Sequence, residues 1–552
     1  MKDWYRSGSP WIWLTAGAVA ASVLAVAGVL ALTALRGLGH FWPKAVVETT
    51  YVERDGSSIR LIGEIREREE VPVRRLRESG FNIPGDALFA ERILLKMGNR
   101  DVTGVDFRWF PLPLIGELRY PKDLITIERR EWGNFYGHLK AVKEAGKVVA
   151  TGEAAWPEAV RRFRRADELF DRIYRIEKEE IGRINFALEK LRLDARRLAL
   201  QGRDPSAAAR SGLDAERDRL NGEFARLQTQ LQALRAEIAR DTLVGEVMDG
   251  KEVEIKFALV ADLFRPNDMS LADRIGHYAG KLGEFVWDDP REANTEGGIF
   301  PAIFGTVMMV LLMAVVVTPF GIMAAIYMRE YATQGPLIRV IRISVNNLAG
   351  VPSIVYGVFG LGFFVYFLGG SIDQLFFAEA LPSPTFGSPG ILWASLTLAI
   401  LTLPVVIVST EEGLARVPRS VREGSLALGA TKAETLWRTV LPMASPAMMT
   451  GLILAVARAA GEVAPLMLVG VVKLAPSLPL DGNFPFLHLE RKFMHLGFHI
   501  YDVGFQSPNV EAARPLVYAT ALLLVIVIMV LNLVAIRLRN RLREQYRGLD
   551  SV

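Results

Sequence analysis

Apolar residues are concentrated in six stretches of the chain rather than spread evenly along it. The first stretch, residues 11–35, contains no charged residue in 25 positions. A helix of that length, rising about 1.5 Å per residue, would cross the roughly 30 Å hydrocarbon core of a membrane. Because the apolar part of a cleaved signal peptide has only about 7–15 residues, the pattern predicts an uncleaved anchor. The other five stretches follow a gap of some 260 residues, at 299–327, 343–368, 390–408, 446–472 and 515–536.

Basic residues between these stretches predict the orientation of the chain. Cytoplasmic loops of membrane proteins carry an excess of Lys and Arg. Three segments, 328–342, 409–442 and the tail after 536, are rich in them. Five spans that alternate across the membrane put those three segments on one side. The first span would then run outward from a cytoplasmic N-terminus at 1–10, with Lys2 and Arg6 inside. Residues 36–298 would be periplasmic in a bacterium, and 541–552 would form a cytoplasmic tail.

Within the region 36–298, residues 158–242 predict two long helices. Gly202 and Pro205 separate them, and apolar residues follow the 3-4 spacing of a coiled-coil seam. In the second helix these residues are Leu213, Leu220, Phe224, Leu227, Leu231, Leu234 and Ile238. We expect an antiparallel coiled-coil hairpin, which is either self-contained or a docking arm for a partner.

The sequence around that hairpin is typical of β-structure. Residues 46–65 contain two alternating runs on either side of Asp55-Gly56, which predicts a β-hairpin. The segments LITIERR and 137–154 indicate further strands, and 253–264 could return to the same sheet. Asp and Glu are scattered through the region in a pattern typical of a solvated surface, and no catalytic constellation emerges. The region 36–298 is therefore predicted to be an α+β insertion.

Composition supports the division into two unlike regions. Of the 552 residues 51% are hydrophobic and 23% charged, with a mean hydropathy of +0.23, as expected when apolar spans are averaged with a charged insertion. Cysteine is absent from the sequence, which excludes disulfides, Cys-ligated zinc, iron–sulfur clusters and a thiol nucleophile. The net charge of +4 is too small for a polycation that coats nucleic acid, so no nucleic-acid partner is expected.

The fifth of the six apolar stretches contains two charges. Arg458 and Glu462, in LAVARAAGEVAPLMLVG (454–470), are four residues apart and would share one face of a helix. A charge at mid-bilayer costs about 2.5–3.5 kcal/mol, so the pair must face a bundle interior or a water-filled path. An arginine there can donate two hydrogen bonds to an oxyanion such as phosphate. Gly461 and Pro465 would loosen the helix at the same place. The alternative is a salt bridge that only locks two helices together.

The basic loop 409–442 ends in REGSLALGATKAETLWRTVLP (422–442). Gly424 to Gly429 favour a turn between short helices, and Pro442 favours the start of the next span. On charge alone this is an ordinary cytoplasmic loop. The spacing nevertheless resembles the EAA loop of ABC-importer permeases, with Glu423 and Gly429 in the Glu and Gly positions and Leu441-Pro442 at its end. Gly424 and Ser425 replace the two alanines, and Ala430 follows Gly429. The resemblance implies that the loop is a coupling helix that binds an ATPase subunit.

Two further segments strengthen the resemblance. RAAGEVAPL is similar to the R-x-x-G-E-T-A-P-L signature of phosphate-specific ABC permeases, with Val463 in the usual Thr position. NNLAGVPSIVYGVFGLGFF (346–364) resembles their third-span motif, whose glycines allow close helix packing. Together with the EAA-like loop, the match covers 299–540 and points to the PstA type, with an extended extracytoplasmic region at 36–298.

The resemblance implies an α-helical membrane protein with one plus five transmembrane helices of ABC-permease type. It would import inorganic phosphate across the bacterial inner membrane, with Arg458 and Glu462 at positions implicated in phosphate passage. The partners would be a second homologous permease, an ABC ATPase dimer that binds ATP and Mg²⁺, and a periplasmic phosphate-binding protein. The chain has no G-x-x-x-x-G-K-[ST] motif, so we expect no nucleotide cofactor and no ATPase activity of its own. The alternatives are a permease for another small oxyanion and a membrane-anchored coiled-coil scaffold.

Three histidines form the last candidate cluster. His488, His495 and His499 fall in one extracytoplasmic loop, 473–514, and the last two have the i,i+4 spacing of a metal pair. No carboxylate completes a clear ligand set in the sequence, so surface histidines are the expectation and no metal is assigned.

Overall fold

The computed structural model describes residues 7–202, 207–291, 294–507 and 510–546. The chain divides into two compact units. The membrane unit comprises Met1–His40, Val286–Asp289 and Gly298–Val552, and the sheet unit comprises Phe41–Phe285 and Pro290–Gly297. Lys2, Arg6 and Pro205, used above in the orientation and hairpin predictions, lie outside the described residues.

Among the described residues of the membrane unit, six helices are long and apolar enough to cross a membrane. They are Trp11–Leu38, Phe300–Tyr331, Ser353–Phe376, Ile391–Arg416, Lys432–Gly461 and Ala513–Arg541. Several predicted boundaries were wrong; the fifth span begins at Lys432 rather than 446, and the fourth ends at Arg416 rather than 408. The third span begins at Ser353 rather than 343, because Pro336–Leu348 forms a separate helix and the chain turns before Pro352. The fifth span ends at Gly461 rather than 472, since the chain leaves the helix at Glu462.

Shorter helices and wide π-type turns connect and extend these spans. The α-helical segments of the membrane unit are Ser9–Leu38, Phe300–Ile326, Pro336–Leu348, Ser353–Phe359, Gly370–Phe376, Ile391–Arg416, Arg419–Ala427, Lys432–Thr435, Leu441–Gly461, Leu466–Val469, Leu496–Tyr501 and Val510–Tyr546. The π-type segments are Tyr327–Tyr331, Gly360–Gly369, Leu436–Val440 and Asp502–Gln506.

The core of the membrane unit lies between three of its helices, 300–326, 391–416 and 441–461. Met309, Met313, Leu398 and Ala455 are fully buried there in one apolar cluster. The first span is different, since none of its most apolar window is buried. It packs against the last helix, most closely where a Cβ on Gly37 would lie 2.8 Å from the backbone nitrogen of Ala519. The first span therefore presents nearly all of its apolar surface outward, as a helix surrounded by lipid would.

The sheet unit is built on two antiparallel sheets. The strands are β1 (Val46–Val52), β2 (Ser58–Pro72), β3 (Phe89–Lys96), β4 (Phe107–Pro111), β5 (Leu124–Arg129), β6 (Phe135–Glu144), β7 (Lys147–Thr151), β8 (Asp241–Glu246), β9 (Glu252–Lys256), β10 (Val260–Phe264), β11 (Pro290–Arg291) and β12 (Glu296–Gly297). The first sheet has the order β1-β2-β3-β4, and the second has the order β10-β5-β6-β8-β9 with β7 paired to β6. β11 and β12 pair separately.

The β-hairpin expected at Asp55-Gly56 is confirmed by the pairing of β1 with β2. The segments 137–154 and 253–264 also form strands of one sheet, as predicted. β3, β4 and β8 were not anticipated, so the unit is richer in sheet than the sequence indicated. β3 and β4 complete the first sheet by pairing with their neighbours along the chain, whereas β8 pairs with β6 about 100 positions earlier, which short-range patterning does not report.

The described part of the sheet unit also contains six helices, of which Val73–Glu78 packs on β2 of the first sheet and Ala155–Arg175 on β6 of the second. They are Val73–Glu78, Arg100–Thr103, Ala155–Arg175, Ile181–Leu200, Ala207–Ile238 and Leu271–Trp287. Within the predicted hairpin region, Leu227, Leu231 and Leu234 join the buried cluster that contains Leu169 and Ile173. A π-type turn at Ile176–Glu180 separates the helices Ala155–Arg175 and Ile181–Leu200. A coiled-coil character and a docking role for these helices stay predictions.

Candidate functional site

The charged pair of the fifth span lies at a break in its helix. The helix Leu441–Gly461 carries Arg458 and ends before Glu462, whose backbone is extended (φ −80°, ψ 130°). The prediction that both side chains share one helix face was therefore wrong, because only Arg458 is on the helix. Proline disfavours helical geometry in the residue before it, and the next helical turn, Leu466–Val469, begins only after Pro465.

The two charges nevertheless pair across the break. Nε of Arg458 lies 3.5 Å from Oε1 of Glu462, and the side chains are 34% and 20% exposed. Since the pair leaves part of the guanidinium accessible, Arg458 can donate further hydrogen bonds to a ligand. A planar guanidinium suits a tetrahedral oxyanion because it can donate two parallel hydrogen bonds. The charged pair thus differs from a fully enclosed structural salt bridge.

Glycines of the third span hold the broken segment in place. A Cβ on Gly357 would lie 2.7 Å from Cα of Pro465, and one on Gly360 would collide with Thr397. Close helix packing through this glycine-rich run is thus confirmed. Tyr356, which sequence reasoning missed, donates a 2.6 Å hydrogen bond to the carbonyl of Leu348. Its position next to Gly357 in the glycine-rich run was the feature of the sequence that could have identified it.

The EAA-like loop folds into two helical segments around a tight turn. Glu423 and Gly424 are exposed on the helix Arg419–Ala427, so Gly424 belongs to a helix and not to the predicted turn. Gly429 alone makes the turn, with a φ of +89° that other residues rarely adopt. After Ala430, Thr431 and Glu434 form a capping box that starts the next helix.

Apolar side chains project from the same loop. Leu428 is 91% exposed, and Leu426 beside it is also exposed. Leu441 and Pro442, at the end of the motif, begin the helix 441–461. Exposed apolar side chains next to Glu423 are typical of a protein-binding surface. Sequence reasoning did not single out Leu426 and Leu428, although their position beside the turn was a signal.

The three histidines are buried, contrary to the expectation of surface histidines. His495 accepts a 3.1 Å hydrogen bond at Nδ1 from the backbone of Gly497 and caps the helix Leu496–Tyr501. Burial lowers the pKa of His495 to about 3, so it is neutral. His488 contacts Asp481 and Glu490 at 3.0 and 3.2 Å, and His499 contacts Thr520. Within the described ranges, no group of three or more His, Asp and Glu side chains could hold a metal ion.

The comparisons with known proteins concern the second half of the chain. A family model described as a binding-protein-dependent transport system inner membrane component matches residues 317–547. The phosphate transport system permease protein PstA 1 of Mycobacterium tuberculosis is 37% identical over 247 residues, which cover 44% of this chain and 71% of the relative. PstA of Yersinia pestis is 33% identical over 255 residues, which cover 46% of this chain and 76% of that relative.

Among solved structures, an inward-facing form of the MetNI methionine ABC transporter aligns with 17% identity and a TM-score of 0.32. The alignment covers 50% of this chain and 99% of that one.

Proposed function

The chain belongs to the PstA family of phosphate transport permeases, and we propose that it is the permease subunit of an ABC importer for inorganic phosphate. The observation that carries the proposal is the accessible guanidinium of Arg458 at a helix break inside a membrane span. A charge in that position is costly unless it faces a water-filled transport path or is fully paired in a salt bridge. The ion pair with Glu462 compensates the charge of Arg458 only in part.

Arg458 and Glu462 would act together on the anion. The guanidinium would bind two oxygens of phosphate, while the carboxylate 3.5 Å away repels the same anion. Repulsion keeps the anion from binding too tightly, and a transport site must release its substrate as well as bind it. Gly461 and Pro465 would let the chain around the pair change its conformation during alternating access.

The segment around Glu423, Gly424, Gly429 and Ala430 would couple that movement to ATP hydrolysis. Its exposed helix and the apolar Leu428 would bind a groove of an ATPase subunit. Leu441 and Pro442 connect the loop directly to the helix that carries Arg458, so motion of the loop can reach the transport path.

The proposed function also implies partners and a cellular location. The chain would lie in the bacterial inner membrane with the sheet unit in the periplasm. It would pair with a second permease, receive phosphate from a periplasmic binding protein and rest on two ATPase subunits, which hydrolyse ATP with Mg²⁺. The permease itself would bind no cofactor.

Replacing Arg458 by Gln tests the proposal. In the complete transporter reconstituted in vesicles, we expect Arg458→Gln to lower uptake of radiolabelled phosphate at least about 100-fold, as losing a charge-assisted bidentate contact of about 3 kcal/mol would. Arg537→Gln, at an exposed position near the end of the last helix, is the matched control and should leave uptake unchanged. Co-purification of the subunits checks that both variants assemble.

Normal phosphate uptake by the Arg458→Gln complex would refute the assigned role. Competition with unlabelled sulfate separates phosphate from the wider class of oxyanions. If sulfate suppresses uptake as effectively as phosphate does, the alternative of a less selective anion permease is the correct one.

A further inference from the structure

One guanidinium beside the EAA-like motif contacts two transmembrane helices at once. Arg422 lies on the helix Arg419–Ala427, and its Nη2 donates a 2.6 Å hydrogen bond to the carbonyl of Leu414, near the end of the helix 391–416. The same Nη2 lies 3.1 Å from Oε1 of Glu330. Glu330 belongs to the π-type turn that ends the span Phe300–Tyr331. Arg422 thus joins the coupling segment to both helices.

A residue on the other side of the Gly429 turn also contacts Glu330. Lys432, on the short helix after the turn, donates a hydrogen bond to the backbone carbonyl of Glu330. Its ammonium lies 4.8 Å from the centre of the Tyr331 ring, within the range of a cation–π interaction. Both arms of the coupling segment therefore hold the end of one span, one through the side chain of Glu330 and one through its backbone.

Burial distinguishes this contact from the exposed ion pairs nearby. The side chains of Glu330 and Arg422 are only 11% and 22% exposed. By contrast, Arg416 and Glu412 are 79% and 64% exposed and 4.0 Å apart. A shielded pair resists separation because losing one partner leaves a poorly solvated charge, whereas an exposed pair exchanges its partner for water at little cost.

The span Phe300–Tyr331, whose last turn contains Glu330, packs against the helix of the candidate site. Its residues Met309 and Met313 share one buried cluster with Ala455 and Ala459 of the helix 441–461. Ala459 is the neighbour of Arg458. A displacement applied at Glu330 would therefore reach the transport path through closely packed side chains, which transmit strain because packed interiors compress little.

We propose that Glu330 is a positioning residue that passes movement of the coupling helix 419–427 to the span 300–331, held there by Arg422 and Lys432. The proposal rests on the proposed function, since it presumes that the coupling helix is moved by an ATPase. It adds a second route into the membrane besides the direct connection through Leu441 and Pro442. Glu330 and Arg422 are 92 positions apart in the sequence, and only the folded chain brings them together.

The test compares transport with ATP hydrolysis in the same vesicles. Glu330→Gln and Arg422→Gln are reconstituted with the second permease, the ATPases and the binding protein, and phosphate uptake is divided by ATP consumed. We expect both variants to assemble and hydrolyse ATP while this ratio falls at least about fivefold, the lower end of typical coupling between sites. Arg416→Gln removes an exposed pair at a neighbouring position and should leave the ratio unchanged.

A charge exchange separates coupling from simple loss of structure. The double variant Glu330→Arg with Arg422→Glu restores opposite charges and should recover much of the ratio, which a merely disruptive substitution would not allow. An unchanged ratio in both single variants would overturn the proposal. If a single variant fails to assemble, the double variant decides: recovery supports the proposal and continued loss of the ratio overturns it. Absence of phosphate uptake by the unmodified complex would refute the proposed function instead, and the ratio would then be measured with the anion that is transported.

Discussion

Two arginines, one in each unit, show opposite solutions to the burial of a guanidinium. Arg162 of the sheet unit is 8% exposed and lies 2.6–2.7 Å from three carboxylates, those of Glu158, Asp241 and Glu144. Arg458 of the membrane unit is 34% exposed and has one carboxylate at 3.5 Å. An arginine surrounded by carboxylates has no capacity left for a ligand and holds structure together. One that is only partly paired keeps the capacity to bind an anion.

The environments explain this difference. Arg162 lies on the helix Ala155–Arg175, while Glu144 ends strand β6 and Asp241 begins strand β8. The guanidinium therefore joins the helix to the sheet, and the surrounding carboxylates raise its pKa further above the usual range despite burial. No comparable set of carboxylates surrounds Arg458 in the described part of the membrane unit. We interpret Arg162 as a structural residue that connects a helix to the sheet, and Arg458 as an anion-binding group.

Truncation of Arg162 should produce the largest effect on stability. Arg162→Ala would leave Asp241, which is 7% exposed, without its closest partner, and breaking such a buried network costs about 3–5 kcal/mol. Hydrogen exchange in the full chain should report faster opening of the helix 155–175. Arg161→Ala is the control, since that side chain is 74% exposed, and it should cost at most about 1 kcal/mol. Equal effects of the two variants would contradict the structural role.

Acid should weaken a second ion cluster of the sheet unit. Lys281 lies 2.8 Å from both Glu128 and Asp262. Burial would raise the pKa of Glu128, but the attraction of Lys281 outweighs it and lowers that pKa to about 2. A carboxyl whose pKa is lower in the folded state stabilises the fold at pH values above its pKa in the unfolded chain, which is about 4.5. This contribution is lost as the pH falls from there towards 2.

Removal of Lys281 tests that pH dependence. Burial raises the pKa of Glu284 in the same cluster, which opposes the effect, so we expect a net loss on the order of 1–2 kcal/mol between pH 5 and pH 3. Denaturant unfolding of the full chain in detergent, followed by circular dichroism, measures it. Lys281→Met should flatten the dependence, whereas Lys251→Met, at an exposed pair, should not. A dependence that survives Lys281→Met would show that other groups cause it.

The smallest effect on stability is expected at the candidate site. Glu462→Gln removes the only ion pair of Arg458 that the described residues contain, yet both side chains are partly exposed, so the cost should stay below about 1 kcal/mol. Phosphate uptake should nevertheless change, because the repulsion that favours release is gone. Thermal unfolding and uptake are measured on the same preparation. A large loss of stability would place Arg458 and Glu462 in the same class as Arg162 and remove the contrast between the units.

The sequence predicted the membrane unit better than the sheet unit for a physical reason. In the hydrocarbon core each span must form its backbone hydrogen bonds within itself. Each span is therefore recognisable in the sequence as a local run of apolar residues. Strands instead form their hydrogen bonds with other strands, and β8, whose partner β6 lies about 100 positions earlier in the chain, went unrecognised. Within the membrane unit, the helical end at Gly461 was missed because apolar residues continue beyond it to Gly470.

The candidate site shows the same limit. Arg458 and Glu462 stand out in the sequence because charges are rare within spans, and Glu423 and Gly429 stand out by their spacing. The burial of His495 and the exposure of Leu428 do not follow from local pattern, since both depend on what packs nearby. The contact of Arg422 with Glu330 joins segments 92 positions apart.

The sequence by itself predicted the six apolar helices of the described residues, the charges Arg458 and Glu462, the EAA-like spacing of one loop and the family. Each is a local pattern, because membrane insertion and short motifs depend on residues close together in the chain. Only the tertiary structure decided that Glu462 lies beyond the helix end, that Arg162 is enclosed by carboxylates while Arg458 is not, and that Glu330 meets the helix 419–427. Such facts depend on side chains from distant segments that share one space, where their distances and burial set the strength of each interaction.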